Sequence, residues 1–323
     1  MWKVPDPESE PSSKAALDAG CGPEWAKSRS ACAAPPLPAP VAEVVSERDR
    51  VEAPQTVTLM TWNLEWFGDP SEGPVDDALQ YDAVLDVLAS EGAGVVALQE
   101  VANEASFERL LAHLPGYAGI LSGYDWTQKT ALLWDATLFE LSHARAISGL
   151  DDAGRPPLEV RLQRRWDGGE LLIVVVHAKA QAEARSQAIR ARFVQGLKAH
   201  LDAEHAHSSR IVIGDFNDLL SGSLVAGSDT PYRPFLDDPA YAAPTRALNE
   251  PGAAETSYAT GATVDHILVT KDLAPLVDRG SIDVLRDELL ARYPRFIETV
   301  SDHFPVTLDL TWRYAAATEA GAR

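Results

Sequence analysis

Six short apolar stretches of the chain each run into residues able to bind a metal ion or move a proton: Asn63, Glu100, His177, Asp215 with Asn217, Asp265, and the pair Asp302-His303. The sharpest case is Arg210-Ile211-Val212-Ile213-Gly214-Asp215-Phe216-Asn217-Asp218. Its β-branched run reads as a buried strand, Gly214 permits a sharp turn, and the polar groups follow at the strand end, where α/β proteins hold ligands. On its own, that ending is equally well explained by an Asx-turn, in which Asp and Asn serve only local hydrogen bonds. Recurrence changes the weight, because six such ends imply one polar site along one edge of the sheets. Carboxylates gathered closely repel unless a cation lies between them. Oxygen ligation by Asp and Glu suits Mg²⁺, with Mn²⁺ or Ca²⁺ as alternatives, better than zinc. A hard cation neutralises phosphoryl oxygens, while a histidine held by a carboxylate handles the proton of a water.

The elements that must position these residues follow from periodicity. Residues 56–63 alternate and are β-rich, giving a strand that ends on Asn63. Asp77 to Ser90 places Leu79, Val84, Leu85, Val87 and Leu88 on one helical face, stopped by Gly92 and Gly94. Residues 95–100 form a second buried strand, ending on Glu100, and Asn103 caps a helix running to Leu114. Paired strands are expected at 117–121 and 130–134, and a hairpin at 158–164 and 171–176 around Asp167-Gly168-Gly169. A long helix over 181–205 leads into the strand before Asp215. Residues 219–257 are rich in Gly, Pro, Ser and Ala and read as a long loop. A strand at 263–269, a helix at 285–292 and a last strand at 305–312 complete the series. Helices interspersed among at least nine strands, several joined by short antiparallel turns, predict an α/β sandwich with mixed sheets.

Composition bounds the rest. The chain has 323 residues, 46% hydrophobic and 24% charged, which is ordinary for a globular protein. A formal charge of −20 opposes tight, non-specific association with a phosphate backbone, although bound divalent cations invert such a field locally. No apolar run is long enough to span a membrane. Residues 1–55 hold nine of the 22 prolines and read as a flexible Pro/Ala-rich segment; residues 56–313 read as the folded domain that carries the candidate site, and 314–323 as a tail. Cys21 and Cys32, the two cysteines, lack zinc-site spacing and leave a single local disulfide open. No basic start followed by an apolar core is visible, while the tether and cysteine pair fit an exported protein.

The ordered segments Thr61-Trp62-Asn63, Leu98-Gln99-Glu100-Val101, Gly214-Asp215-Phe216-Asn217, Val264-Asp265-His266-Ile267 and Ser301-Asp302-His303-Phe304-Pro305-Val306 resemble the motif set of the endonuclease/exonuclease/phosphatase superfamily. The resemblance covers residues 56–312 in the family's order. It implies a four-layer α/β/β/α sandwich with two packed mixed sheets, and divalent-metal-dependent hydrolysis of a phosphate ester. Carried over by motif, Glu100 is the principal metal ligand, Asn63 orients carboxylates and phosphate or joins the metal, and Asp302 completes that metal's shell or a second one. Asp215 positions or activates the water, Asn217 binds phosphate oxygens, Asp265 holds His303, and His303 acts as base or binds the scissile phosphate. His177 resembles the second histidine of the deoxyribonuclease and sphingomyelinase branches, assisting the leaving group or transition state. Asp218 falls outside the motif.

Other residues have competing explanations. Glu100 could simply cap the following helix, and His177 could be satisfied by backbone groups. Glu65 is a further metal-shell acid or a solvated one. His266 faces away from Asp265 and is expected to pack. Trp62, Trp66 and Phe67 stack on a base or, preferably, pack beneath the site. Lys129, after Trp126, is a candidate phosphate contact, and Arg161, Arg164 and Arg165 are either a phosphate-facing patch or solvated. The expected substrate is nucleic acid, cleaved at its phosphodiester bonds with no stable protein partner implied. A phospholipid substrate would call for an exposed apolar hairpin, which the polar Asp167-Gly168-Gly169 turn does not supply. A phosphomonoester substrate and an inactive binding module are the remaining alternatives.

Overall fold

The computed structural model describes residues 54–125, 127–150 and 155–313. Most of the N-terminal segment with Cys21 and Cys32, together with Trp126 and the tail 314–323, lies outside the described residues. Twelve strands among the described residues form two six-stranded sheets. In spatial order, sheet one is β11 (Val277–Val284), β12 (Val306–Trp312), β1 (Gln55–Phe67), β2 (Val95–Val101), β4 (Lys129–Asp135) and β3 (Tyr117–Leu121). Sheet two is β5 (Phe139–Ala146), β6 (Leu158–Arg164), β7 (Glu170–His177), β8 (Arg210–Asp215), β10 (Asp265–Thr270) and β9 (Tyr241–Ala242).

Each sheet holds one parallel pair, β1 with β2 and β7 with β8; all other pairings are antiparallel. A parallel pair needs a crossover, and helices supply it. Helix α1 (Asp77–Glu91) joins β1 to β2; Asp76 caps it by accepting from the amides of Ala78 and Leu79, and Gly92 ends it at φ 58°. Helix α2 (Glu104–Ala112) follows β2 and is capped by Asn103, as its sequence predicts. Helix α3 (Ala184–Glu204) joins β7 to β8.

Strand alternation divides the apolar residues into layers. Val57, Leu59, Val95, Ala97, Ile173, Val175, Ile211 and Ile213 meet between the sheets. On the far side of sheet one, Met60, Trp62, Val96 and Leu98 pack with Val84, Leu88 and Phe107. On the far side of sheet two, Val174, Val176 and Val212 pack with Phe193, Val194 and Leu197. The result is the expected α/β/β/α sandwich. No helix among the described residues is long and apolar enough to cross a membrane.

Three strands escape sequence reading: β5, β11 and the two-residue β9. β5 and β11 are edge strands whose side chains are largely exposed, so neither carries the apolar alternation that marks a half-buried strand. The long segment after β8 is mostly irregular but contains a short helix (Arg233–Leu236), the two-residue β9 and a 3₁₀ turn (Pro244–Asn249). Its start is pinned by Asp218, whose Oδ2 accepts from Arg190 Nη2 at 2.8 Å and Nε at 3.1 Å with both side chains fully buried. Asp218 Oδ1 also takes the amides of Leu219 and Leu224. Asp218 is therefore structural, and its pairing with α3 explains why so polar a residue sits in the interior.

His266 packs as expected, edge-on to Phe216 and 3.3 Å from Thr245 Oγ1.

Two stability predictions follow from these positions. Gly214 has φ +143°, and a Cβ there would lie 2.0 Å from the Val176 carbonyl oxygen on the neighbouring strand. Gly214→Ala is expected to lower unfolding free energy by about 3 kcal/mol or more, read by urea denaturation. Burial pulls His266 from 6.5 down to about 3. Below pH 6.5 the unfolded chain binds a proton that the folded chain refuses until pH nears 3. Its contribution is therefore complete above 6.5 and declines by up to about 1.4 kcal/mol per unit as pH falls. Between pH 7.5 and 5 the wild type should lose about 2 kcal/mol more than His266→Leu.

Candidate active site

The two parallel pairs point the same way, so the carboxyl ends of β1, β2, β7 and β8 converge. Alternation sets Asn63 in line with Val57 and Leu59, His177 with Ile173 and Val175, and Asp215 with Ile211 and Ile213, all on the inter-sheet side. β10 runs antiparallel to β8, so its first residue, Asp265, pairs directly with Asp215. Glu100 breaks the pattern. Strict alternation would assign it to the outer face with Val96 and Leu98, but its φ of 58° swings it to the site. Glu65 and Trp66 also have positive φ, 49° and 55°, where β1 shifts register against β2 between Asn63 and Phe67.

These elements line a cleft of about 750 Å³ that includes Glu65, Trp66, Glu100, His177, Asp215, Asn217, Asp302 and His303. Asn63 Nδ2 bridges Glu100 Oε1 and Asp215 Oδ2, each at 3.1 Å, while its Oδ1 accepts the Glu65 amide at 3.0 Å. In this arrangement Asn63 orients two acids through its amide nitrogen and keeps one lone pair of Oδ1 beyond the Glu65 amide. Asn217 donates to Asp215 twice, from its amide to Oδ1 and from Nδ2 to Oδ2, both at 2.8 Å. Asp265 Oδ2 lies 2.8 Å from His303 Nδ1, which leaves Nε2 for the cleft. Asp302 is half-buried, with Oδ1 3.9 Å from His303 Nε2, and its amide donates to Glu65 Oε2 at 2.8 Å.

The electrostatics separate the two histidines. Burial and the nearby Arg155 guanidinium push His177 well below the usual range, so it is neutral. Burial works against charge on His303 as well, but Asp265, then Asp215 and Asp302, outweigh it and hold the imidazolium well above the usual range. The acids move the other way. Burial, followed by repulsion from Asp265, lifts Asp215 to about 7; burial and repulsion from Asp302 lift Glu65 to about 7; burial raises Glu100.

Arg155 and Gln128 are the residues that sequence reasoning misses. Arg155 Nη1 lies 2.8 Å from His177 Nε2 and 3.1 Å from Gln128 Oε1, and Gln128 Nε2 donates to Glu100 Oε2 at 2.8 Å. A chain of contacts thus runs from Glu100 in sheet one to His177 in sheet two. Both residues belong to connecting segments without periodicity, and nothing in their spacing marks them. Lys129, the expected phosphate contact, opens β4 opposite Val101 and does not line the cleft; the preceding residue, Gln128, reaches the site instead. Arg161, Arg164 and Arg165 are engaged by Glu170, Asp167 and Glu140 and do not line it either. Trp62 and Phe67 pack beneath the site, with Trp62 Nε1 donating to the His303 carbonyl at 2.9 Å, whereas Trp66 forms part of the cleft wall.

Known proteins place this geometry. The model of the endonuclease/exonuclease/phosphatase family matches residues 60–303. The chain belongs to that family. Its members hydrolyse phosphoester bonds, and the chain is an enzyme of that class. No curated protein sequence matches it. Among solved structures, the human Nocturnin catalytic domain with bound sulfate aligns at TM-score 0.60 and 20% identity, covering 81% of this chain and 97% of that one. D. rerio TDP2 complexed with a single-strand DNA product aligns at 0.60 and 14%, covering 79% and 98%. A Bacteroides thetaiotaomicron mannosyl-6-phosphatase aligns at 0.54 and 18%, covering 78% and 98%. At these identities the likeness is one of fold.

The family is metal-dependent, and the residues present fit a hard divalent cation. Glu100, Asp302 and Glu65 supply only oxygens to the open side of the cleft, and burial first, with repulsion from neighbouring acids after it, raises Glu100 and Glu65, a penalty on their negative charge that a cation would relieve. Asp215, Asp265 and His303 also bring ligand atoms within 4.8 Å of one another. Glu100→Gln is therefore expected to abolish Mg²⁺ or Mn²⁺ binding in calorimetry. Asn63→Ala, which releases two acids without removing either, should weaken it about 10- to 100-fold.

Proposed function

We propose that the enzyme is a divalent-metal-dependent phosphodiesterase whose substrate is a nucleic-acid strand, held mainly through its bases. The observation that carries this reading is the pair of histidines in opposite charge states around shared carboxylates. An imidazolium at His303 donates to a phosphate oxygen, and at the leaving side stands the neutral His177, whose Nε2 accepts from Arg155 Nη1, which brings positive charge there. Asp215, with a proton affinity near neutrality, is matched to the task of taking the proton of the attacking water. Asn217 fixes the Asp215 carboxylate through both of its oxygens. A cation held by Glu100 and Asp302 would neutralise charge on the phosphate.

The cleft wall supports a single strand over a duplex. Glu65, Glu72, Glu100 and Asp302 make it acidic, and among the described residues no lysine or arginine lines it. Counterion release cannot then supply much affinity. Aromatic stacking can, since Trp66 stands in the wall and Tyr258, 63% exposed, sits between the lining residues Ser257 and Ala259. The same acidic lining favours a second reading, a small phosphomonoester that needs no backbone contacts.

An assay panel separates the two. With Mg²⁺ or Mn²⁺, single-stranded oligonucleotides and bis(p-nitrophenyl) phosphate should be hydrolysed faster than sugar monophosphates, duplex DNA or sphingomyelin. His303→Ala and Asp215→Ala should abolish turnover, and retained activity in either overturns the assignment. Arg155→Met should lower kcat by about 10²- to 10³-fold. Trp66→Ala and Tyr258→Ala should each raise KM for an oligonucleotide about 5- to 100-fold while sparing the small diester. Exclusive turnover of monoesters would favour the second reading.

A further inference from the structure

The outer face of sheet two carries a second cluster of ligating side chains, none of which lines the cleft. Glu159 comes from β6, His200 from the last turns of α3, and His205 from the position that ends α3. Glu159 Oε2 lies 2.9 Å from His200 Nε2 and 2.9 Å from His205 Nε2. All three ligand atoms fall within 4.8 Å of one another. Glu159 and His205 are buried, at 2% and 6% exposure.

We propose that Glu159, His200 and His205 form a second metal site, independent of the phosphate-handling cleft, that takes one zinc-like ion. Two imidazole nitrogens and one carboxylate oxygen suit a metal of intermediate softness in tetrahedral geometry, with water as fourth ligand; Mg²⁺ prefers six oxygens. Tetrahedral zinc with bonds of about 2.0–2.1 Å sets its ligands about 3.3 Å apart, so the two observed contacts need to open by about 0.4 Å.

The surroundings are those of a supported ligand set. The second oxygen of Glu159 is held by Arg145 Nε at 2.8 Å, which leaves Oε2 as the single donor. His200 Nδ1 lies 3.2 Å from Glu204 Oε1, one helical turn further on, so Glu204 can hold the proton at Nδ1 and free Nε2 for the metal. At His205 the nearest group to Nδ1 is Arg161 Nη2 at 3.4 Å; it must turn away on ligation, and Glu170 at 3.7 Å receives it. Entry is from the side of Glu204, whose side chain is 49% exposed. A bound ion would fasten the carboxyl end of α3 to the β5–β6 edge, where the layer has little apolar cover. The competing arrangement is a metal-free ion-pair network in which hydrogens at both Nε2 atoms occupy the same place.

Cobalt titration of the full chain in excess Mg²⁺ distinguishes them. One equivalent of Co²⁺ should bind with the intense visible absorption of tetrahedral cobalt, displaced by Zn²⁺. Glu100→Gln should keep this signal; His200→Gln and His205→Gln should lose it, and Glu204→Gln should weaken it about tenfold. Zn²⁺ should raise the melting temperature of Glu100→Gln and not of Glu100→Gln/His200→Gln. Absence of such an equivalent, or its survival in His200→Gln, overturns the proposal. Because the readout is binding and not hydrolysis, the result is independent of which phosphate the cleft cleaves.

Discussion

The structure turns on the crowding of acids where two parallel strand pairs end. Glu100, Asp215, Asp265, Asp302 and Glu65 approach from five strand ends or turns, and the burial of Asp215 and Asp265 removes the water that would screen those two. Such an arrangement survives only because the scaffold over-determines it. Asn63 and Asn217 donate into the carboxylates, His303 neutralises Asp265, and apolar layers on three levels hold the strands that carry them. The residual strain is visible in the backbone, where Glu65, Trp66, Glu100 and Asn217 all take positive φ. These four left-handed residues lie at the cleft, which is where stored strain is expected to serve function.

The same crowding explains how one site keeps two histidines in different states. His303 has a carboxylate at hydrogen-bond distance and further acids behind it, so its positive charge is stabilised despite burial. His177 is buried at least as deeply but faces the Arg155 guanidinium, so a positive charge there is opposed twice. Two histidines, one ending β7 and one just before β12, thus become two chemical tools according to the sign of the nearest neighbour.

Much of the fold was legible because its central strands are buried on both faces. Residues 95–98, 171–176 and 211–213 read as continuous apolar runs, and each lies in a strand that contributes to the inter-sheet core. The caps at Asn103 and Gly92 were readable from local chemistry alone. The edge strands β5 and β11 were not, since an exposed edge imposes no apolar period on its residues. At the site, Asn63, Glu100, His177, Asp215, Asn217, Asp265, Asp302 and His303 were each marked by the end of a strand, and the structure brings all eight together. Lys129 is marked only by its residue type, with no strand end before it, and it stands outside the cleft.

The sequence by itself determined the layers, the order of the strands along the chain and the family, because periodicity and motif order are local or ordinal properties. Only the tertiary structure decided that Glu100 faces the site, since a single φ of 58° reverses what alternation dictates. It also decided that Arg155 stands behind His177 and Gln128 beside Glu100, and that Arg190 neutralises Asp218. These partners come from connections or from a helix 22 to 28 residues away, where closure depends on how the sheets pack and no spacing rule applies. The Glu159, His200 and His205 cluster is of the same kind, assembled from a strand and a helix end separated by 41 and 46 residues.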